Sequence, residues 1–315
     1  MILGILKEPQ NENRVAMLPE TVESLVKLNV KVIIEKEAGL RAYSSDDDYK
    51  SAGAKTDSRS NIIKKSDVVV GVHSPDAKEL KTFRKDQVLV ASLNPFFNKA
   101  TVDQLVSGNV VSFSMDMIPR TTRAQAMDVL SSQATVTGYK SVLDAANSYS
   151  KFLPMFMSAA GTIKPAKILI LGAGVAGLQA IATARKLGAV VEVFDVRSAV
   201  KEEVMSLGAK FVEVEGAKDD ASAGGYAVEQ TEDFKKKQEQ AIHDHAVKAD
   251  IVICTAQIPG KKAPLLIHKT TVEAMKKGSI VVDLAASTGG NCELTKNGET
   301  IDHKQVKIIG KSDYP

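Results

Sequence analysis

The sequence predicts an α/β protein of two Rossmann-like, doubly wound parallel-sheet domains joined by a long helix. Three observations carry this. Short apolar runs alternate with amphipathic stretches along all 315 residues, which is how strands and helices read when they follow one another in turn. Many of the runs are rich in Val, Ile and Leu without period-two alternation, as in strands covered on both faces. The pattern also stops and restarts: one series ends near Phe113 and another begins at Lys167, and a domain is typically about 150 residues.

In the first series the predicted strands are Ile2–Leu6, Lys31–Glu35, Asp67–Val72, Val88–Ser92 and Val110–Phe113. Pro19–Leu28 reads as a helix, with a proline suited to its first turn. Ser114–Ala126 is polar and carries Pro119, so it reads as a linker or an ordered crossing loop. Met127–Lys151 has few breakers and reads as the long helix, which divides the chain into domains at 1–126 and 127–315. The second series of strands is Lys167–Leu171, Val190–Phe194, Lys210–Val214, Ile251–Thr255, Ser279–Leu284 and Val306–Ile309. One stretch, Glu213–Gln230, is too long for the usual strand-to-helix connection of about two to six residues. Its Gly, Ala, Asp and Ser surround Tyr226, so it reads either as a surface insertion or as a lid with Tyr226 at its tip.

Composition excludes several classes. Lys and Arg total 41 against 38 Asp and Glu, a net charge of +3, which offers no clustered basic field for nucleic acid. A chain 44% hydrophobic and 25% charged has the make-up of a folded globular protein. The two cysteines, Cys254 and Cys292, make neither a disulfide framework nor a four-ligand zinc site. The opening MILGILKEPQNENR meets charge too soon for a signal peptide, and no run approaches the ~18 apolar residues of a membrane span. The expectation is a soluble, cytosolic chain with reduced cysteines.

Ala166–Ile181 reads AKILILGAGVAGLQAI, with Gly172, Gly174 and Gly177 spaced G-x-G-x-x-G. Alone this match is weak; here it follows an apolar strand and opens a helix, and Asp195 ends the next strand 18 residues after Gly177. That context specifies a dinucleotide site. Gly172 permits the tight turn, Gly174 lets the backbone approach a pyrophosphate and Gly177 allows close helix–strand packing. The helix N-terminus then offers N–H groups and partial positive charge to phosphate. Asp195 suits a ribose diol and repels a 2′-phosphate, favouring NAD(H), while Arg197 leaves a cation within reach of such a phosphate. A Rossmann domain kept for packing alone is the competing reading.

These residues resemble the NAD(H)-binding component, domain I, of the proton-translocating NAD(P) transhydrogenases, relatives of alanine dehydrogenase. The likeness covers nearly the whole chain. It rests on KEP…ENRVAMLPETV (Lys7–Val22), PRTTRAQAMDVLSSQA (Pro119–Ala134), GAGVAGLQAI, the AGGYA insertion, TAQIPGKKAP (Thr255–Pro264) and VVDLAASTGGN (Val281–Asn291). The resemblance implies that Arg120, Gln125 and Asp128 hold the nicotinamide carboxamide and its ribose, assisted by Ser131. An amide needs one donor and one acceptor, and Gln with Asp supplies both. It places Arg123, Met127, Val129 and Leu130 beside them as cofactor contacts. Val175, Ala176, Asp195, Val196, Arg197, Gly225, Tyr226, Gln238 and Gln257 line the NAD site with the three glycines, and the insertion matches the family's mobile loop. No metal is implied. NADP(H) would sit on a partner component, not on this chain; a membrane-spanning component and a homodimer complete the implied assembly. Its implied place is peripheral to a membrane, on the cytosolic (bacterial cytoplasm) or matrix side.

The departures matter as much. Alanine dehydrogenases use a first-domain lysine and histidine, and the aligned positions are His73 and Asn94; a third family carboxylate falls at Ser287. Deamination needs a general acid–base at the imine carbon, and only the substrate arginine, Arg14, is matched. Hydride exchange between two nicotinamides moves no O–H or N–H proton and needs positioning alone. The sequence therefore favours transhydrogenation over a stand-alone amino-acid dehydrogenase or a non-catalytic NAD-binding module. The remaining signals are bland. The five histidines read as non-ligands, Cys254 as a core thiol, Lys235–Lys237 as a solvated helix face, and Phe96–Phe97 as core under a loop in preference to an exposed contact. The family carries further helices past the position of Pro315 that complete the first domain.

Overall fold

A computed structural model describes residues 1–119, 121–216, 231–258 and 260–314. The chain divides into two compact units, Met1–Leu130 and Ser131–Pro315. In the first, strands and helices alternate: β1 (Ile2–Ile5), α1 (Pro19–Lys27), β2 (Lys31–Glu35), α2 (Asp46–Ser51), β3 (Lys55–Asp57), α3 (Arg59–Lys65), β4 (Val68–His73), α4 (Ala77–Leu80), β5 (Val88–Ser92), α5 (Lys99–Ser107) and β6 (Val111–Ser114). The helix starts follow local chemistry. Pro19 opens α1, and capping boxes start α2 at Ser45 and Asp48 and α4 at Asp76 and Glu79, each satisfying N–H groups a helix end leaves unpaired. The strands form one parallel sheet in the order β3-β2-β1-β4-β5-β6, with Leu3 between Val32 and Val68.

Apolar side chains fill both faces of this sheet. Leu3, Ile5, Val32 and Ile34 pack with Val22 and Tyr49 on one side. Leu6, Val69, Leu89 and Ala91 pack with Ile62, Ile63 and Leu105 on the other. That is why β1, β4 and β5 read as unbroken apolar runs.

The second unit takes in most of α6 (Val129–Ser148) and then β7 (Phe156–Ser158), β8 (Gly161–Ile163), β9 (Lys167–Leu171), α7 (Val175–Lys186), β10 (Val190–Phe194), α8 (Lys201–Ser206), β11 (Lys210–Phe211), α9 (Glu232–Ala246), β12 (Ile251–Cys254), α10 (Lys269–Ala274), β13 (Ile280–Asp283), β14 (Thr300–His303) and β15 (Val306–Ile309). Its main sheet runs β11-β10-β9-β12-β13-β15-β14. Successive residues serve opposite faces: Ile168, Ile170, Ile251 and Ile253 pack with α6 and α7 residues such as Val142, Ala145 and Ile181, while Leu169, Leu171, Val252 and Cys254 pack with Phe234, Ile242 and Val272.

Five details depart from the sequence reading. Phe96 and Phe97, expected as core under a loop, are exposed. β3 and β14 are polar edge strands, and β14 runs antiparallel to β15, a common finish to an otherwise parallel sheet. β7 and β8 form a separate two-stranded antiparallel hairpin whose residues are all exposed, so no burial pattern announced it. The strand expected over Lys210–Val214 pairs only at Lys210 and Phe211. The long helix expected from Met127 begins at Val129, because the preceding residues form a 3-10 turn, Thr122–Met127.

Helices α6 and α7 touch where glycine leaves room. A Cβ on Gly138 would lie 2.1 Å from the Ala176 carbonyl oxygen, far inside contact distance and against backbone that cannot step aside. Gly138→Ala is therefore expected to lower stability by about 1–3 kcal/mol, read as a drop in thermal melting temperature.

Candidate functional site

In the second unit the strand order reverses about β9: the chain goes from β9 through α7 to β10 on one side and reaches β12 on the other. Open α/β sheets bind ligands at such a switch point, beyond the carboxyl ends of the strands. The glycine-rich turn lies there. Gly172 has φ +103°, a conformation that suits glycine, and its N–H donates to the Phe194 carbonyl at 2.8 Å. A Cβ on Gly177 would stand 2.0 Å from the Gly172 oxygen, so helix and strand meet without a side chain between them. Gly174, the N-cap of α7, has nothing within 4 Å of where its Cβ would be. The two glycines differ in kind: one is closed by packing, the other faces open space. Val175 and Ala176 follow as the first residues of α7, whose N-cap supplies no side-chain capping bond, so the first-turn N–H groups have no intrahelical partner.

Asp195 follows the end of β10, its side chain only 5% exposed. Its Oδ2 accepts the Ala173 N–H at 2.7 Å, tying the acid to the turn, and Arg197 forms an ion pair with it at 2.6 Å. Val196 packs on the core behind. Gln257 lies just past β12 and donates through Nε2 to the Leu284 carbonyl at 3.1 Å. Gln238 is half-buried on α9.

Three residues not singled out from the sequence hold these loops. Thr255 donates its hydroxyl to the Gly172 carbonyl at 2.9 Å. Asn291, fully buried, accepts the Ala256 N–H and donates to the Ala256 and Pro264 carbonyls. Asp283, also fully buried, accepts from the N–H groups of Ala285, Asn291 and Cys292 and from the Thr295 hydroxyl. A carboxylate inside an apolar strand and an asparagine after a glycine pair were the available signals; both are costly to bury unless fully hydrogen-bonded.

The loop that precedes α6 belongs to the first unit. Its 3-10 turn closes with Ala124 N–H on Thr121 O and Asp128 N–H on Gln125 O, so Gln125 and Asp128 are one turn apart. Arg123, Gln125, Met127 and Leu130 are exposed, while Asp128, Val129 and Ser131 are half-buried. Arg120, Gly225, Tyr226 and the rest of residues 217–230 lie outside the described residues.

The first unit repeats the strand order without a usable turn. After β1 the Lys7 N–H donates to Glu35 Oε2 at 2.8 Å, as Ala173 does to Asp195, and Arg59 pairs with that same oxygen. Here, though, Glu8 and Pro9 stand where glycines would be needed, and α1 begins only at Pro19. The Glu8 carboxylate takes the Val72 and His73 N–H groups. Glu12 engages the Arg14 guanidinium through Nε at 2.8 Å and Nη2 at 2.6 Å, and meets His73 at 3.0 Å. Burial pushes the Glu12 carboxyl up, but the hydrogen bonds and charge of Arg14, with His73, outweigh it and hold it at about 2. Asn94 and Ser287 are exposed. Burial also pushes both thiols up, that of Cys292 to about 11, so neither is a ready nucleophile. Among the described residues no three His, Cys, Asp or Glu side chains gather as metal ligands, and no helix is long and apolar enough to cross a membrane.

Two alternating sheets, one carrying a glycine turn, an open helix start and an acid after the next strand, define a two-domain protein of the Rossmann class. The chain belongs to the alanine dehydrogenase/PNT family: the N-terminal domain of that family matches residues 4–137 and the C-terminal domain residues 141–315. Within it, the chain is 44% identical over 324 residues to the first part of the NAD(P) transhydrogenase alpha subunit of Rhodospirillum rubrum, covering 100% of this chain and 84% of that protein. The solved structure of the transhydrogenase from Sinorhizobium meliloti superposes with a TM-score of 0.87 at 42% identity, over 99% of this chain and 86% of that one. An alanine dehydrogenase from Staphylococcus haemolyticus is more distant, 30% identical over 96% of this chain and 76% of its own length.

Two outcomes test this geometry. Gly174→Ala, whose methyl enters open space, should keep the wild-type melting temperature to within about 1 kcal/mol of stability, whereas Gly177→Ala should fall well below it. For Glu12, a carboxyl held below its ordinary 4.5 stabilises the fold above that pH and ceases to do so as pH falls toward 2. The melting temperatures of wild type and Glu12→Gln, separate at pH 7, should therefore converge between pH 4.5 and about 2.

Proposed function

We propose that this chain is the NAD(H)-binding subunit of a proton-translocating NAD(P) transhydrogenase, passing a hydride directly from NADH to NADP⁺ held on a partner component. The observation that carries it is the contrast between the two crevices. The second unit presents an open phosphate turn and an acid suited to a ribose diol, while in the first no glycine turn follows β1 and Glu12 engages Arg14 and His73. The turn fits a dinucleotide because Gly174 leaves the space a phosphate requires and the twelve-residue helix α7 starts there.

In this reading Gly172, Gly174, Val175, Ala176 and Gly177 take the pyrophosphate, and Asp195 takes the adenosine ribose, with Val196 and Arg197 lining that end of the site. Gln125 and Asp128 hold the carboxamide and ribose of the nicotinamide, with Arg120, Ser131 and neighbours Arg123, Met127, Val129 and Leu130. Gln238, Gln257, Gly225 and Tyr226 complete the site. The bound dinucleotide supplies the hydride; the chain's residues fix the ring, and no protein group has to move a proton. NADP(H) belongs to the partner, and proton movement to a membrane-spanning component, beside which this chain sits on the cytosolic or matrix side. A homodimer is part of the proposal. It is supported by the β7–β8 hairpin, which leaves Met155, Phe156, Met157 and Ile163 exposed, with Phe152 stacked on Phe156 at 5.2 Å; an isolated hairpin is marginal in water.

The alternative of amino-acid dehydrogenation is disfavoured by Glu12, which already engages Arg14, and by His73, Asn94 and Ser287 at the aligned positions. The test is rapid mixing of the protein and the acetylpyridine analogue of NAD⁺ with an NADPH-loaded transhydrogenase NADP(H)-binding component. Fast transfer is expected, falling by about 10²-fold in Gln125→Ala or Asp128→Ala, with no NADH formed from NAD⁺ and L-alanine. Nucleotide binding without transfer would instead mark a binding module.

A further inference from the structure

The Asp195 carboxylate is fully occupied. A carboxylate has about four lone-pair positions, and four N–H groups use them here. Oδ1 accepts the Arg197 main-chain N–H at 2.9 Å and its Nε–H at 2.8 Å. Oδ2 accepts the Ala173 main-chain N–H at 2.7 Å and the Arg197 Nη2–H at 2.6 Å. A ribose diol brings two O–H donors and finds no acceptor. The main-chain donors belong to the turn and to the backbone after β10 and cannot leave; the guanidinium is on a flexible arm and can. Its departure frees one lone pair on each oxygen, which is the spacing that two vicinal hydroxyls require.

We propose that the Arg197 guanidinium is an exchangeable internal occupant of the ribose-diol site, and that it sets the NAD(H) affinity and selectivity of this chain by competing with the nucleotide for Asp195. This rests on reading the crevice as the NAD(H) site. A diol can replace the fork hydrogen bond for hydrogen bond. A 2′-phosphorylated ribose has lost one of the two O–H groups and brings negative charge, so it cannot stand in for the guanidinium at Asp195. While paired, Arg197 also keeps an almost fully buried carboxylate from standing alone, which would otherwise lower the stability of the ligand-free protein. The affinity for NADH is thus held below what the turn and the acid would provide unopposed, as suits a subunit that must release its nucleotide on each turnover.

The test is equilibrium binding of NADH and NADPH, by nucleotide fluorescence, to the wild-type chain, to Arg197→Met and Arg197→Lys, and to Arg197→Met in an Asp195→Ala background. Competition predicts that Arg197→Met binds NADH about fivefold to tenfold more tightly, while NADPH binding weakens because the bare carboxylate repels the phosphate. Arg197→Lys, with one point of attachment, falls between. With Asp195 already replaced, removing Arg197 shifts NADH affinity by less than about twofold, the non-additivity by which a double-mutant cycle shows the two residues to be coupled. The ligand-free Arg197→Met protein melts below wild type and gains more from saturating NADH. Weaker NADH binding in Arg197→Met would overturn the proposal by showing a direct attractive contact, and unchanged binding would overturn it by showing no competition. If Arg197→Met does not fold, Arg197→Lys decides by the same signs. A wild-type chain that binds neither nucleotide would instead sink the site reading itself.

Discussion

The second unit depends on a contact between main-chain atoms, where β9 turns into α7. No side chain fits between Gly177 and the Gly172 carbonyl, and α6 comes to rest on the same helix through Gly138 against Ala176. Once those contacts are made, the first turn of α7 has one position relative to β9. Gly174 at its start borders open space, and the Thr255 hydroxyl secures the turn from the end of the neighbouring strand β12. The chemistry of the crevice follows from a packing constraint that only residues without a Cβ can meet.

Both units use one strand order, yet among the described residues only the second has a glycine turn after its central strand. In each, an N–H after the first central strand reaches an acid at the end of its neighbour, Lys7 to Glu35 and Ala173 to Asp195, and an arginine joins that acid. The difference lies in the residues just after the strand. In the second unit glycines lead directly into a helix whose first-turn N–H groups lack intrahelical partners. In the first, Glu8, Glu12 and Arg14 fold back and satisfy the strand ends and one another. A charged side chain turned inward can close a crevice as fully as an apolar one, provided every lone pair finds a donor.

Much of this was legible in the sequence. Both parallel sheets, the glycine turn and Asp195 announce themselves because backbone conformation and two-sided burial restrict residue choice position by position. The polar edge strands β3 and β14 and the exposed hairpin β7–β8 did not, since an element with little buried surface imposes little pattern. Helix α6 starts two residues later than its composition suggests, because Met127 and Asp128 are compatible with a helix; it is the 3-10 closure on Gln125 that displaces the start.

What the sequence by itself determined is the set of groups: which turn lacks Cβ atoms and which strand ends in an acid. Those are facts of composition at fixed spacing. What only the tertiary structure decided is how the charged groups distribute their hydrogen bonds. Arg14 is drawn to Glu12, Arg197 saturates Asp195, and Asn291 and Asp283 are buried to hold the loops beside the turn. The physical reason is that a charged or amide group can pair with any of several partners within reach, and packing of the surrounding strands and helices chooses among them.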